Sequence, residues 1–146
     1  MWGEIFMGRK AMLFFLSVVA IMTVTFVFVY FASGEEDGTR IEFLKNYGWE
    51  VDKKSASEAD VIIPKPFDRV YESYNELQKR AGLDLTPYMG MRGRRYTYIV
   101  TNYPYDVNDE VRANVIYING KCVAGDIMTV SACGFMHSLN FSDAKE

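Results

Sequence analysis

The chain has 146 residues, a net charge of −3 and a hydrophobic fraction of 49%. Residues 1–34 carry a net charge of +1 and the rest a net of −4, so the longer part is acidic, which argues against a nucleic-acid partner. The roughly 112 residues after the apolar segment suffice for one modest core but not for two domains, and two cysteines exclude a disulfide-dense scaffold.

The N-terminal segment is typical of a membrane anchor. Residues 11–32 contain no charge, and a helix of that length reaches about 33 Å, enough to cross the hydrocarbon core and contact membrane lipid. Arg9 and Lys10 precede the run and acidic residues follow it, which favours a single-pass protein of the cell membrane with a cytoplasmic N-terminal stub, residues 1–10. The alternative is a cleaved signal peptide, but the run exceeds a typical signal-peptide core.

Residues 33–39 are predicted to form a polar linker, followed by an extracytoplasmic domain over residues 40–139. Thr39 and Glu42 match a capping box and Gly48 suits a helix end, so the pattern predicts a helix over 40–47. Two short strands are expected next, at 49–54 and 60–64, with the polar turn SASEA between them.

A second helix is the clearest periodic signal in the domain. Pro66 suits a first helical position and Gly82 suits an end. One apolar face is formed by Phe67, Val70, Tyr71, Tyr74, Leu77 and Ala81. The spacing predicts a helix over about 66–81 and a loop over 81–93.

Three strands are predicted after that loop, at residues 94–103, 111–118 and 121–130. Asn119-Gly120 is a strong hairpin signal, and Gly125 indicates a bulge or a close packing contact. The order of helix, strand pair, helix and three-strand meander predicts an α+β domain, with two helices packed on an antiparallel sheet. Residues 140–146 are expected to be a flexible tail.

Several separated runs resemble one family. They are FLKNYGWEV, VIIP, VYESYNELQKRAGLDL, RYTYIVTNYP, VRANVIYINGKCVAGDI and GFMHSL, in this order. Together, over roughly residues 41–139, they resemble the uncharacterised bacterial domain-of-unknown-function family 4830. The resemblance implies a small extracytoplasmic domain behind a membrane anchor, and it implies no activity.

Catalytic and metal chemistry finds little support in the sequence. His137 is the single histidine, so a hydrolase would have to pair it with Asp126, which needs both in one cleft. Cys122 and Cys133 would lie far apart along an extended strand, so we expect free thiols and no disulfide. The acidic cluster at 106–110 lacks a calcium-loop pattern. We therefore expect no enzyme activity, no metal and no cofactor.

A binding surface is the function that the residues favour. The candidate residues are aromatic or arginine, types enriched at recognition surfaces: Arg92, Arg94, Arg95, Tyr98, Tyr103 and Tyr105. They predict a protein-interaction site, or less specifically a site for an envelope glycan. Two alternatives stay open at this point: the tyrosines belong to the core and the arginines pair with neighbouring acids, or the domain is a structural spacer.

Overall fold

The computed structural model describes residues 8–131 and 133–144, without the side chains of Arg9 and residues 29–37. The chain falls into two compact units, Met1–Asp37 and Gly38–Glu146, and the second is called the C-terminal domain below. The elements, in chain order, are helix α1 (Arg9–Asn46), strand β1 (Val51–Ile62), helix α2 (Arg69–Arg80) and strands β2 (Arg92–Val100), β3 (Arg112–Ile118), β4 (Lys121–Met128) and β5 (Met136–His137). Two single-turn 3-10 helices lie at Thr86–Tyr88 and Phe141–Asp143.

Helix α1 contains one segment, Lys10–Phe28, that is long and apolar enough to cross a membrane. Its 19 residues span about 29 Å at the rise of an α-helix. The hydroxyls within it bond back to the preceding turn: Ser17 donates to the Phe14 carbonyl at 2.7 Å, and Thr25 donates to the Ile21 carbonyl at 2.8 Å. These side chains therefore add no unsatisfied donor to an apolar environment. The predicted stub lies largely outside the described residues, which begin at residue 8.

Residues 33–39, predicted to be a polar linker, are helical, and the boundary between the two compact units falls among them, after Asp37. Both flanks are already helical, so this segment extends a helix without a nucleation cost, and Glu35 and Glu36 are good helix formers. The helix predicted over 40–47 is therefore the last part of α1. Its end is as expected: Gly48 has a φ of +94°, and the Trp49 N–H donates to the Leu44 carbonyl.

The predicted pair of short strands is one long strand, β1. The ladder between β1 and β2 shifts register between Asp52 and Ser57, so residues 53–56 bulge out of the strand without ending it, and pairing resumes within SASEA at Ser57. Side chains replace the ladder there, because the Ser55 hydroxyl donates to the Asp52 carbonyl and accepts from the Ile99 N–H at 2.8 Å. Turn-forming residues thus mark a bulge here rather than a chain reversal.

The five strands form one antiparallel sheet in the order β1-β2-β3-β4-β5. The α+β class predicted from the sequence is confirmed, including the hairpin at Asn119-Gly120, whose φ angles are +50° and +80°. Helix α2 begins after Asp68 rather than at Pro66, because the Asp68 carboxylate accepts the Tyr71 N–H at 2.8 Å and caps the helix. Strand β5 was not predicted.

The sheet buries side chains on both faces. The α1 face packs against the last turns of α1 and against Trp49, and its largest buried side chains are Leu44, Trp49, Tyr98, Val115, Ile127 and Leu139. The opposite, α2 face holds a second cluster of buried residues: Ile63, Leu85, Ile116, Ile118, Val123 and Ala124.

The C-terminal residues are part of the α1-face packing rather than a flexible tail. The Phe141 ring lies 4.7 Å from that of Trp49, and the Asn140 side chain donates to the Arg80 carbonyl at 2.8 Å. The Trp49 indole N–H donates to the Leu139 carbonyl at 2.6 Å. The prediction of a flexible tail is therefore wrong for residues 140–144; residues 145 and 146 lie outside the described part of the chain.

Candidate functional site

Tyr98 belongs to the core, not to a binding surface. Its side chain is fully buried on the α1 face, and its hydroxyl accepts a hydrogen bond from Arg40 Nε at 3.0 Å. The sequence prediction for Tyr98 is wrong because alternation along a strand does not reveal which of two covered faces a residue joins.

Tyr103 and Tyr105 extend the same aromatic packing. The Tyr103 ring stacks on Trp49 at 5.9 Å and on Phe135 at 5.4 Å, and Tyr105 meets the edge of Tyr103. Tyr103 is partly buried, whereas Tyr105 is 40% exposed. The alternative that these tyrosines close the core therefore fits the geometry of Tyr103, and Tyr105 alone of the three presents a substantial surface.

The three arginines do not form one patch. Arg92 and Arg94 project from one side of β2, and Arg95 projects from the opposite side, because successive residues of a strand alternate. Arg94 forms an exposed ion pair with Glu58 on β1 at 3.3 Å, as the structural alternative expected. Arg95 projects from the α2 face into a pocket. The six residues predicted to bind a partner, including the tyrosines, are thus divided among the core, the surface and this pocket.

The pocket lies between α2 and the sheet and has a volume of about 430 Å³. Its size falls in the range of small-molecule sites. One wall comes from α2: Val70, Tyr71, Ser73, Tyr74 and Leu77. The floor comes from the sheet: Arg95, Asn114, Ile116, Asp126, Met128 and Met136. Val70 is 72% exposed and Met136 is 50% exposed, so apolar side chains also face solvent at the pocket.

A row of polar side chains crosses the floor of the pocket. The Thr97 hydroxyl donates to Asn114 Oδ1 at 2.7 Å, and Asn114 Nδ2 donates to Asp126 Oδ2 at 2.8 Å. The Tyr74 hydroxyl donates to Asp126 Oδ1 at 2.7 Å. Thr97, Asn114 and Asp126 are direct neighbours across β2, β3 and β4, and the last two line the pocket. The row therefore fixes the side chains beneath the pocket and links them to α2.

Burial sets the protonation behaviour of this row. Asp126 is 2% exposed, and loss of solvent raises the pKa of its carboxyl above the ordinary value of 3.8. The hydrogen bonds from Asn114 and Tyr74, together with the charge of Arg95, oppose that rise in pKa. Burial and the neighbouring Asp126 hold the pKa of Tyr74 well above 10, so its hydroxyl remains a donor at physiological pH.

Helix α2 is held against β4 by a side-chain bond to Gly125, a residue that also makes a close packing contact. Gln78 is fully buried and its Oε1 accepts the Gly125 N–H at 2.8 Å. A Cβ atom at Gly125 would lie 2.7 Å from the Asn114 carbonyl oxygen and 2.8 Å from Leu139 Cδ1. The close contact predicted at Gly125 is therefore present, and it leaves no room for a side chain at this position.

The hydrolase alternative lacks its geometry. His137 pairs with Ile127, whose side chain lies on the α1 face, and its ring stacks on Phe135 at 5.5 Å. Asp126 lies on the α2 face, so the two residues are on opposite sides of the sheet. Cys122 and Cys133 are free thiols. Within residues 8–131 and 133–144, no group of three or more His, Cys, Asp or Glu is arranged to hold a metal ion.

The sequence contained one unused signal for this site. Asp126 stands inside the otherwise buried strand β4, and an acidic residue in such a run requires partners. The apolar face predicted for α2 supplied the opposite wall, but the distance between helix and sheet could not be read from the sequence.

The fold and pocket define a small α+β domain with a mostly apolar, ligand-sized site on one face of its sheet. The chain matches the domain of unknown function DUF4830 over residues 43–127, more than half of its length, and it belongs to that family. No curated protein and no solved structure matches the chain.

Proposed function

We propose that this protein is a membrane-anchored, non-enzymatic binding protein whose C-terminal domain holds a small molecule with an apolar body on the extracytoplasmic side of the cell membrane. The observation that carries this proposal is the pocket between α2 and the sheet. It has ligand-like volume, apolar walls and a fixed polar floor.

The character of the pocket favours a small molecule over the protein or glycan partner expected from the sequence. Protein interfaces are broad, and the exposed aromatic patch that such a partner required is reduced to Tyr105 and the edge of Tyr103. The pocket instead combines Val70, Ile116 and two methionines, and methionine side chains adapt to varied apolar shapes. A purely structural spacer would not require such a concave site.

The anchor and the charge distribution support the location. Lys10–Phe28 is long enough to cross a membrane, and the basic pair at its start favours a cytoplasmic N-terminus. Tethering then keeps the domain within a short distance of the bilayer, where it meets amphipathic molecules at raised local concentration.

Methionine methyl groups report directly on pocket occupancy. We would label the methionines of the full chain with ¹³C at the methyl carbon, place the protein in lipid nanodiscs and add 1-hexanol. The signals of Met128 and Met136, which line the pocket, are expected to shift and saturate. Met91 is exposed but outside the pocket lining, so its signal is expected to stay in place. Absence of saturable shifts at both pocket methionines would overturn the proposal.

A blocking variant tests whether the pocket itself is responsible. Ser73 is exposed on α2 and lines the pocket, so Ser73→Phe adds a ring at the pocket without altering a buried residue. Glu72→Phe adds the same ring on the same helix outside the pocket lining. We expect Ser73→Phe to weaken hexanol binding by at least tenfold and Glu72→Phe to leave it within twofold. Equal binding by the two variants would contradict the pocket as the site.

A further inference from the structure

Resting on the proposed function, we infer that the ligand of the α2 pocket carries a carboxylate, and that Arg95 is the residue that binds it. The ligand class is thus an amphipathic carboxylic acid, whose apolar body lies against α2 and the methionines while its head group pairs with the guanidinium.

The guanidinium of Arg95 has donors that no described residue engages. Among the described residues, no hydrogen bond or ion pair engages the Arg95 side chain, although Arg94 beside it is paired with Glu58. A guanidinium presents five N–H donors in a planar fork, which matches the two oxygens of a carboxylate. Arg95 is exposed and also lines the largely apolar pocket, so these donors are accessible to a ligand bound there.

The acidic group of the pocket, in contrast, is already engaged in hydrogen bonds. Each oxygen of Asp126 accepts one hydrogen bond, from Tyr74 and from Asn114 respectively, and the residue is almost fully buried. Arg95 acts on Asp126 through its charge without a hydrogen bond between them. A ligand ammonium group would therefore have to compete with two donors for a buried carboxylate, whereas a ligand carboxylate would meet a guanidinium that no described residue pairs with.

The position of Arg95 relative to the apolar lining also suits an amphipathic ligand. Arg95 is the cross-strand partner of Ile116, and both residues line the pocket. Its charge also acts on Tyr71, which belongs to the α2 wall. Arg95 thus stands beside the apolar part of the floor and acts on the α2 wall through its charge, which places its guanidinium to pair with the head group of a ligand whose body lies against both.

Three probes with one six-carbon chain separate these head-group chemistries. Hexanoate, 1-hexanol and hexylammonium would each be titrated against the full chain in nanodiscs, with the methyl signals of Met128 and Met136 as the readout. Hexanoate is expected to bind about tenfold more tightly than hexanol, a difference of about 1.4 kcal/mol. This preference is expected to shrink as salt is raised.

Matched variants assign the preference to one residue. In Arg95→Gln, hexanoate is expected to lose its tenfold advantage while hexanol affinity stays within twofold of the unaltered protein. Arg94→Gln removes the same charge from the same strand but on the opposite side of the sheet, and it is expected to keep the preference.

Each contrary outcome points to a different error. Equal binding of hexanoate and hexanol, or a preference that survives Arg95→Gln, would overturn the role of Arg95 while leaving the pocket as a binding site. Tightest binding of hexylammonium would overturn it in favour of Asp126. If no probe shifts the signals of Met128 and Met136, the pocket function and the carboxylate inference fail together.

Discussion

The hydroxyl of Tyr74 donates a 2.7 Å hydrogen bond to the buried carboxylate of Asp126, and this bond joins helix α2 to strand β4 beneath the pocket. Asn114 on β3 donates a hydrogen bond to the other oxygen of this carboxylate. The pocket floor and its helical wall are therefore parts of one hydrogen-bonded unit, and changes in that unit should alter both stability and binding.

Tyr74→Phe should destabilise the C-terminal domain by about 2 kcal/mol, since it removes a hydrogen bond to a buried acidic group and leaves one oxygen without its donor. The pKa of Asp126 should rise further, because the bond from Tyr74 opposes the effect of burial. Urea unfolding followed by tyrosine and tryptophan fluorescence measures the change. Glu72→Gln, on the exposed side of the same helix, serves as control and should change stability by less than 0.5 kcal/mol.

Asp126→Asn should remove a pH dependence of stability. The pKa of Asp126 is raised in the folded protein, so the folded state favours the neutral carboxyl. The stabilisation from this neutral form is fully present below about pH 4 and is lost as pH rises through the folded pKa. An asparagine does not ionise, so it has no buried charge to destabilise the folded state at high pH. A flip of the Asn114 amide would reverse its hydrogen bonds, so that it accepts from residue 126 and donates to Thr97. Unfolding midpoints measured from pH 4 to pH 8 should show that the stability of the variant increases relative to that of the unaltered protein as pH rises. A constant difference across that range would contradict the raised pKa.

Asp84 should show the opposite pH signature. The Thr86 hydroxyl, the Asn75 amide and the Thr86 backbone N–H lower the pKa of Asp84 from 3.8 to about 2. The ionised Asp84 therefore stabilises the folded state. This stabilisation is present above about pH 4 and is lost as pH falls through 2. Because Asp84 is exposed, we expect Asp84→Ala to cost only about 1 kcal/mol at pH 7. The cost should diminish toward pH 2, as followed by chemical unfolding at each pH.

Gly125→Ala should destabilise the domain by about 2 kcal/mol, because the added methyl would lie under 3 Å from the Asn114 carbonyl oxygen and from Leu139. Any shift of β4 that relieves these contacts would also strain the Gln78 bond that holds α2. Gly38→Ala is the matched control: Gly38 is helical and has no atom within 4 Å of the new methyl, so no loss is expected. Equal thermal unfolding midpoints for the two variants would contradict the close packing.

Cysteine labelling can test the orientation of the protein in the membrane. Cys133 is exposed, whereas burial raises the pKa of Cys122 to about 11 and leaves it a poorly reactive thiol. A membrane-impermeant maleimide added to intact spheroplasts should label the unaltered protein and Cys122→Ser, but not Cys133→Ser. Labelling that requires opening of the membrane would place the C-terminal domain in the cytoplasm.

Local sequence signals predicted those elements whose causes are local. The Asn119-Gly120 hairpin and the end of α1 at Gly48 depend on backbone conformations that these residues favour, and both are found. The polar residues at the bulge in β1 suit a turn equally well, so their pattern alone predicts a turn there. Only the pairing with β2, a long-range contact, decides between them.

The site was harder to predict than the fold because it depends on which face of the sheet each residue joins. Tyr98 and Arg95 stand three positions apart on β2, yet one is core and the other lines the pocket. Of the six residues predicted to bind a partner, Arg95 alone lies in the proposed site. Asp126 was considered only for a catalytic pair with His137, since nothing in the sequence brings Tyr74 to it.

Contacts between ligand and protein protons test the pocket most directly. Intermolecular nuclear Overhauser effects would be recorded between the hexanoate chain and the methionine methyl groups of the full chain in nanodiscs. We expect effects to Met128 and Met136, reduced in Ser73→Phe, and none to Met91. Effects confined to Met12 and Met22, which lie on the apolar part of α1, would instead indicate hexanoate in the bilayer and would contradict a ligand site in the α2 pocket.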